Sequence, residues 1–323
     1  MDNCLLFLDR FMLHCSAKNL SPKSMRSYDQ TLRLFFIFLR DEKQITDVKK
    51  IRQEDIEDYI NFVRERGKYT VNVSVQQSKY NKPMHRRDFN KKVSESTIAN
   101  YLRNIKVFFN YLADQRDINK NPVESIPNIK SHRKMKPLLS ENELYMLMRS
   151  FDTSTFHGFR NWTITRLILD TGCRVGECLS IMRTDINMQN NGILLRYTKN
   201  GKERYVFFSD KMRKNLKSWL EYLDRYSDSN YIFPSIHGRK MDIRNFEFAL
   251  RSAGESVGIK VAPHQLRNNF SKYYLLNGGD FATLSMILGH SSVEVTKNEY
   301  LDFTDIELSR NYQKHSPLNN LDI

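Results

Sequence analysis

The chain is 323 residues long and carries 51 Lys and Arg against 37 Asp and Glu, a formal net charge of +14. That length accommodates two domains with separate cores, and 40% hydrophobic with 12% aromatic residues excludes an intrinsically disordered chain. The positive surplus runs through the whole sequence rather than a tail, which points to a polyanionic partner and to nucleic acid first.

The N-terminal stretch does not read as a secretory signal, because Asp2 stands where basic residues belong and Asp9 and Arg10 interrupt the apolar run from Leu5. No apolar stretch reaches the roughly 20 residues of a membrane span, so the expectation is a cytoplasmic protein without a membrane partner. Cys4, Cys15, Cys173 and Cys178 form no CxxC pair. They are expected as reduced, partly buried thiols, with neither a zinc site nor a disulfide framework.

The first half reads as helices. In "SPKSMRSYDQTLRLFFIFLR", Ser21 is placed as N-cap and Pro22 at the first helical position, and Met25, Tyr28, Leu32, Phe35, Phe36 and Leu39 recur at helical spacing. "QEDIEDYINFVRERG" predicts a shorter amphipathic helix with Gly67 as its stop. "STIANYLRNIKVFFNYLADQ" predicts a third, with Ile98, Leu102, Ile105, Phe109 and Leu112 on one face and Arg103 and Lys106 on another. These aromatic stripes are core rather than ligand platforms. Between the second and third helices, Thr70, Asn72, Ser74 and Gln76 alternate with Val71, Val73 and Val75, the period of a short strand. A basic loop follows with Lys82, Arg86, Arg87, Lys91 and Lys92, either a solvated insertion or a DNA contact.

Three prolines and a basic run in "NPVESIPNIKSHRKMKPLLSENEL" mark a boundary, after which Ser140 and Glu143 form a capping box that opens a new helix. The organisation expected is a helical domain over 1–126 with an insertion at about 67–95, a linker at 127–138, and a second domain over 139–323. Arg133 and Lys134 in the linker either lie along a phosphate backbone or belong to an ordinary hinge. Helices are expected through "RNWTITRLILDTG" and "RVGECLSI", then a hairpin in "GILLRYTKNGKERYVFFS" around a Lys-Asn-Gly-Lys turn, then helices again from about Asp210.

Four separated stretches carry candidate chemistry. In "TGCRVGE", Gly172 stops a helix and Arg174 starts the next, with Glu177 three residues on along the same face, where it can brace the guanidinium. "YTKNGKER" holds Lys199 and Lys202 on the hairpin turn. In "APHQLRNNF", His264 and Arg267 share a face at a helix start. "LGHSSVEVTKNEYLDF" contains His290 and Tyr300. Attack on a phosphodiester needs forked cations for the non-bridging oxygens, a phenol relieved of its proton and a general acid for the leaving 5′-oxygen. Two arginines, two histidines, a lysine and a tyrosine meet those needs without a metal. Each residue taken alone has an ordinary alternative, as a packing aromatic, a cap or a solvated helix cation.

The ordered set "TGCRVGE", "TKNGKER", "HQLR", "LGHSS" and Tyr300 resembles the tyrosine recombinases, or phage integrase family, over most of the chain. The resemblance implies a mostly α fold with a small β-sheet, a helical SAM-like core-binding domain preceding a mixed α/β catalytic domain of the tyrosine recombinase type. It implies that Arg174 and Arg267 clamp the scissile phosphate, Lys199 protonates the leaving 5′-hydroxyl, His264 handles the tyrosine's proton, His290 bonds a phosphate oxygen, Glu177 orients Arg174, and Tyr300 attacks to give a 3′-phosphotyrosyl link. No metal, ATP or other cofactor is implied. The implied partners are double-stranded DNA, with Lys202, Arg103, Lys106, Arg133 and Lys134 as further contacts, a homo-tetramer on that DNA, and accessory DNA-bending or directionality factors.

The sequence departs from the family in two places. The segment from His290 to Tyr300 is one residue longer than usual, and Asn268 stands where many members have His. Ile306 and Leu308 in the tail either dock on a neighbouring subunit or cap their own domain. Integration or excision of a mobile element is the function expected, with a Xer-like resolvase, a type IB topoisomerase-like enzyme and a non-catalytic DNA-binding protein as the alternatives.

Overall fold

The computed structural model describes residues 3–71, 82–129, 138–196, 201–290, 292–294 and 296, and the chain divides into two units, Met1–Met135 and Lys136–Ile323. The N-terminal unit is built on α1 (Asn3–Ala17), α2 (Pro22–Lys43), α3 (Gln53–Glu65) and α4 (Glu95–Asp114). Helix α1 is an addition to the helices expected. Cys4, Phe7, Leu8, Phe11 and Cys15 are its buried face, while Asp9 and Arg10, which break the linear apolar run, lie exposed on the other side.

Ser21 starts α2 by accepting the Ser24 N–H at 3.2 Å, with Pro22 in the first turn. Gln44 stops it in the left-handed region at φ 54°, its N–H donating to the Leu39 carbonyl. Along α2, Leu32, Phe35, Phe36 and Leu39 are buried as expected, whereas Met25 and Tyr28 are only part-buried. Leu34 and Phe38 are buried as well. Phe38 meets Phe62 of α3 with ring centroids 4.9 Å apart. Helix α2 packs against α1, α3 and α4, so its apolar stripe is wider than one face. The five residues expected on the inner face of α4 are all buried, and Phe108 adds an edge contact to Phe11 at 5.5 Å.

Of the alternating segment expected from Thr70 to Gln76, residues 72–76 lie outside the described residues. Its described flanks are tied by an antiparallel bridge between Gly67 and Lys92 and by the Lys68 N–H to the Lys91 carbonyl at 2.9 Å. Lys82, Arg86, Arg87, Lys91 and Lys92 are exposed, and Arg86 lies 4.4 Å from the centroid of the Tyr69 ring.

The C-terminal unit opens with α5 (Glu141–Arg149), where the Ser140 hydroxyl accepts from the Glu143 N–H and the Glu143 carboxylate accepts from the Ser140 N–H, the reciprocal cap that the sequence predicts. Next comes α6 (Phe156–Thr171), then the single turn α7 (Val175–Cys178) where a longer helix was expected. Strands β1 (Ile186–Asn187), β2 (Gly192–Leu195) and β3 (Arg204–Phe207) form an antiparallel sheet in the order β1-β2-β3. The expected hairpin is β2–β3, with Ile193 opposite Val206 and Leu195 opposite Arg204; its turn residues 197–200 lie outside the described ones. Helices α8 (Asp210–Leu223), α9 (Ile243–Glu255), α10 (Pro263–Leu276) and α11 (Phe281–Leu288) follow among the described residues.

Helix α6 packs against α8, α9 and α10 and is therefore buried nearly all round. Its interior threonines remain compatible with that position because each hydroxyl donates one turn back, Thr163 to the Phe159 carbonyl at 2.8 Å and Thr165 to the Asn161 carbonyl at 2.7 Å. All four cysteines are buried thiols outside any disulfide among the described residues. Among the described residues, no helix is long and apolar enough to cross a membrane.

Candidate active site

Helix ends make the site. Gly172 closes α6 in the left-handed region at φ 65°, where a Cβ would also meet the Phe270 ring at 2.3 Å. The chain then turns into α7 with Arg174 as its N-cap residue. The Arg174 N–H donates to Glu177 Oε2 at 2.8 Å, and its Nη1 donates to Glu177 Oε1 at 3.1 Å. Glu177 thus braces the guanidinium as the sequence suggests, while its carboxylate is only 3% exposed.

A second arginine, absent from the residues selected by sequence, holds that carboxylate more firmly. Arg204 of β3 donates from Nη1 to Oε1 at 2.9 Å and from Nη2 to Oε2 at 2.7 Å, a two-pronged pair. Its Nε donates to the Ile287 carbonyl at 3.0 Å. Burial pushes the Glu177 carboxyl upward, but the hydrogen bond and charge of Arg204, the Arg174 N–H and the Arg174 charge together outweigh it and hold the group below the usual carboxylate range. The signal for Arg204 was available in the strand period. It shares a face with buried Val206, and a cation on the inward side of a strand requires an acid.

Arg267 lies on α10 and is 4% exposed. It donates from Nη1 to the Gly172 carbonyl at 2.5 Å and from Nη2 to the Leu288 carbonyl at 2.8 Å. Arg174 Nη1 reaches the same Leu288 carbonyl at 3.5 Å. The two guanidinium groups therefore converge on the C-terminal end of α11. His290 stands just beyond, its Nε2 3.0 Å from Arg267 Nη2 and its Nδ1 2.8 Å from Thr296 Oγ1. Because a guanidinium only donates, Nε2 is the acceptor and the proton sits on Nδ1, toward Thr296. Gly289, at φ 62°, permits this turn, since a Cβ there would lie 2.9 Å from Arg204 Cδ.

Arg174, Glu177, Arg267 and His290 are thus brought together. His264 is exposed on the first turn of α10, three residues before Arg267, and Lys202 is exposed just before β3. Lys199, Tyr300, Arg133 and Lys134 lie outside the described residues. In the N-terminal unit, Arg103 is exposed on α4. Lys106 donates to the Ile126 carbonyl and to Asn128 Oδ1, engaging the segment after its own helix. Among the described residues no group of three or more His, Cys, Asp or Glu could hold a metal ion. Arg174 and Arg204 share one carboxylate and Arg267 has none, so the three guanidinium groups leave a surplus of two positive charges, opposite in sign to the charge that develops on the non-bridging oxygens of a phosphodiester under attack.

Residues 137–306, more than half of the chain, match the model of the phage integrase family, and residues 8–75 match that of the phage integrase N-terminal SAM-like domain. The chain belongs to the phage integrase family, the tyrosine recombinases, which are enzymes of site-specific DNA recombination. It is 25% identical over 307 residues to tyrosine recombinase XerD of Listeria monocytogenes serotype 4b (strain F2365), covering 93% of this chain and 94% of the relative. It is 27% identical over 306 residues to tyrosine recombinase XerC of Pediococcus pentosaceus (strain ATCC 25745 / CCUG 21536 / LMG 10740 / 183-1w), covering 92% and 93%. Among solved structures, XerA recombinase aligns at 27% identity and a TM-score of 0.51, over 96% of this chain and 98% of that one. The Tn1549 transposon integrase in complex with a circular intermediate DNA aligns at 15% identity and a TM-score of 0.70, over 98% and 100%, a likeness of fold.

Proposed function

We propose that the chain cuts and rejoins DNA at specific sites through Tyr300, for integration and excision of a mobile element. Tyr300 Oη attacks the scissile phosphorus while its proton passes to His264. The bond from phosphorus to the 5′-oxygen breaks, and Lys199 protonates that oxygen. Arg174 and Arg267 hold the non-bridging oxygens, with Glu177 fixing the direction of Arg174, and His290 donates to a phosphate oxygen from Nε2 once that nitrogen is released from Arg267 and carries a proton. The product is a 3′-phosphotyrosyl ester that conserves the energy of the broken bond. A 5′-hydroxyl of a partner strand then displaces the tyrosine, and two such exchanges pass through a four-way junction held by a homo-tetramer on DNA. The observation that carries this reading is the convergence of Arg174 and Arg267 on the Leu288 carbonyl with His290 beside them.

The similarity to XerC and XerD along nearly the whole chain supports a second reading, resolution of joined DNA molecules by the same chemistry. Recombination assayed on paired sites from an element's ends against paired direct repeats of one site separates the two. The chemistry itself is tested on a nicked suicide substrate. Wild type forms a denaturation-resistant protein–DNA adduct, Tyr300→Phe forms none, and EDTA leaves the yield unchanged; an adduct from Tyr300→Phe would move the nucleophile elsewhere.

A further inference from the structure

We infer that Arg204 is a positioning residue for phosphate binding, acting through Glu177 to aim the Arg174 guanidinium; the inference rests on the function proposed above. Arg204 itself does not present a donor edge to substrate. Its side chain is 13% exposed, both Nη atoms are committed to Glu177 and Nε to the Ile287 carbonyl.

Glu177 by contrast is shared. Oε1 accepts from both arginines, and Oε2 accepts from Arg204 and from the Arg174 backbone N–H. Arg204 supplies the shorter and two-pronged share, so the carboxylate plane follows Arg204, and Arg174 is left with a single side-chain contact through Nη1. Its Nε and Nη2 make no hydrogen bond among the described residues. That asymmetry suits the task. A carboxylate gripped by both prongs of Arg174 would occupy the edge that a phosphate needs, whereas one gripped by Arg204 steers Arg174 and leaves that edge available.

Without Arg204 the buried carboxylate would turn fully onto Arg174, its remaining cation. The same strand reaches the far side of the site, because Arg204 Nε is bonded to α11 one residue before the carbonyl shared by Arg174 and Arg267. Arg204 therefore registers the β2–β3 hairpin, α7 and the end of α11 against one another.

The test is the single-turnover rate of adduct formation on the nicked substrate, with DNA affinity measured alongside and folding checked by circular dichroism. Arg204→Gln lowers the rate about 10- to 100-fold, the range for a misaimed catalytic group, and changes the DNA dissociation constant less than about threefold, since most affinity is set by other phosphate contacts. Arg204→Lys, which keeps the charge but not the fork, falls between wild type and Arg204→Gln and serves if the glutamine variant does not fold.

The decisive readout is a double-mutant cycle. In a Glu177→Gln background the further effect of Arg204→Gln shrinks to less than about twofold, because the residue it acts through is already neutral. A role of Arg204 independent of Glu177, through the Ile287 carbonyl alone, would leave the two effects multiplicative, and that result overturns the inference, as does a wild-type rate in Arg204→Gln. A wild-type protein that forms no adduct would instead fail the function proposed above, which separates the two failures.

Discussion

The two units solve the problem of an interior in opposite ways. Among the described residues of the N-terminal unit, buried polar side chains are few, chiefly Thr31 and Asn104, bonded to each other at 3.0 Å, and the Tyr59 hydroxyl. Around them the interior is aromatic and aliphatic, with Phe11, Phe108, Phe109 and Phe35 linked in that order by edge-on ring contacts. The C-terminal unit buries Arg267, Glu177, Asn269 and several hydroxyls close to its site. An apolar interior is stabilised by area and shape and tolerates variation in both. A polar interior holds only if each group keeps its partner, and it gives direction in return. The first interior is held mainly by shape, the second also by paired polar groups.

That contrast can be broken by substitution. The largest effect is expected from Phe109→Ala, which empties the aromatic centre of the N-terminal unit and costs about 4 kcal/mol. Urea unfolding should show this loss to be independent of pH, because no titrating group takes part. Glu177→Gln removes the charge that joins two arginines and costs about 3 kcal/mol at neutral pH. The folded-state pKa of Glu177 is held down, so its contribution is complete above the ordinary carboxylate value of 4.5 and is lost as pH falls through the lower folded value. Wild type and Glu177→Gln should therefore converge in stability on the acid side; parallel curves would show that the carboxylate does not titrate with folding. The smallest of the three is Asn269→Ala. Asn269 accepts the Leu139 N–H at 3.2 Å and donates to the Leu139 carbonyl at 2.6 Å, and losing that clasp costs about 2 kcal/mol. Faster hydrogen exchange at the Leu139 amide would report it.

Much of the architecture was legible because it follows from period and caps. The inner face of α4, the Ser140 box, the Gly172 stop and the β2–β3 hairpin were all readable from spacing alone. Helix α1 is hidden in the linear sequence because Asp9 and Arg10 interrupt the apolar run along the chain but not around the helix. The helix expected from Arg174 shrank to one turn because the chain leaves it for the Ile181 and Met182 bridge region toward the sheet. At the site, the pairing of Arg174 with Glu177 could be seen because both lie within one turn. Arg204 is harder to read, since its partner lies in another element and only its place on the inward face of β3 marks it. The Leu288 carbonyl and the tautomer of His290 are properties of the folded chain, and no residue type announces them.

The last carbonyls of α11 have a further consequence. A helix leaves its final C=O groups without intrahelical donors and carries partial negative charge at that end. Here three guanidinium groups cap that end, Arg204 at Ile287 and Arg174 with Arg267 at Leu288. The neutral peptide oxygen acts as a placeholder that keeps like charges gathered ahead of any encounter with a polyanion. A phosphate meeting Arg267 would compete with carbonyl dipoles, and one meeting Arg174 with the same Leu288 dipole and a single prong of Glu177.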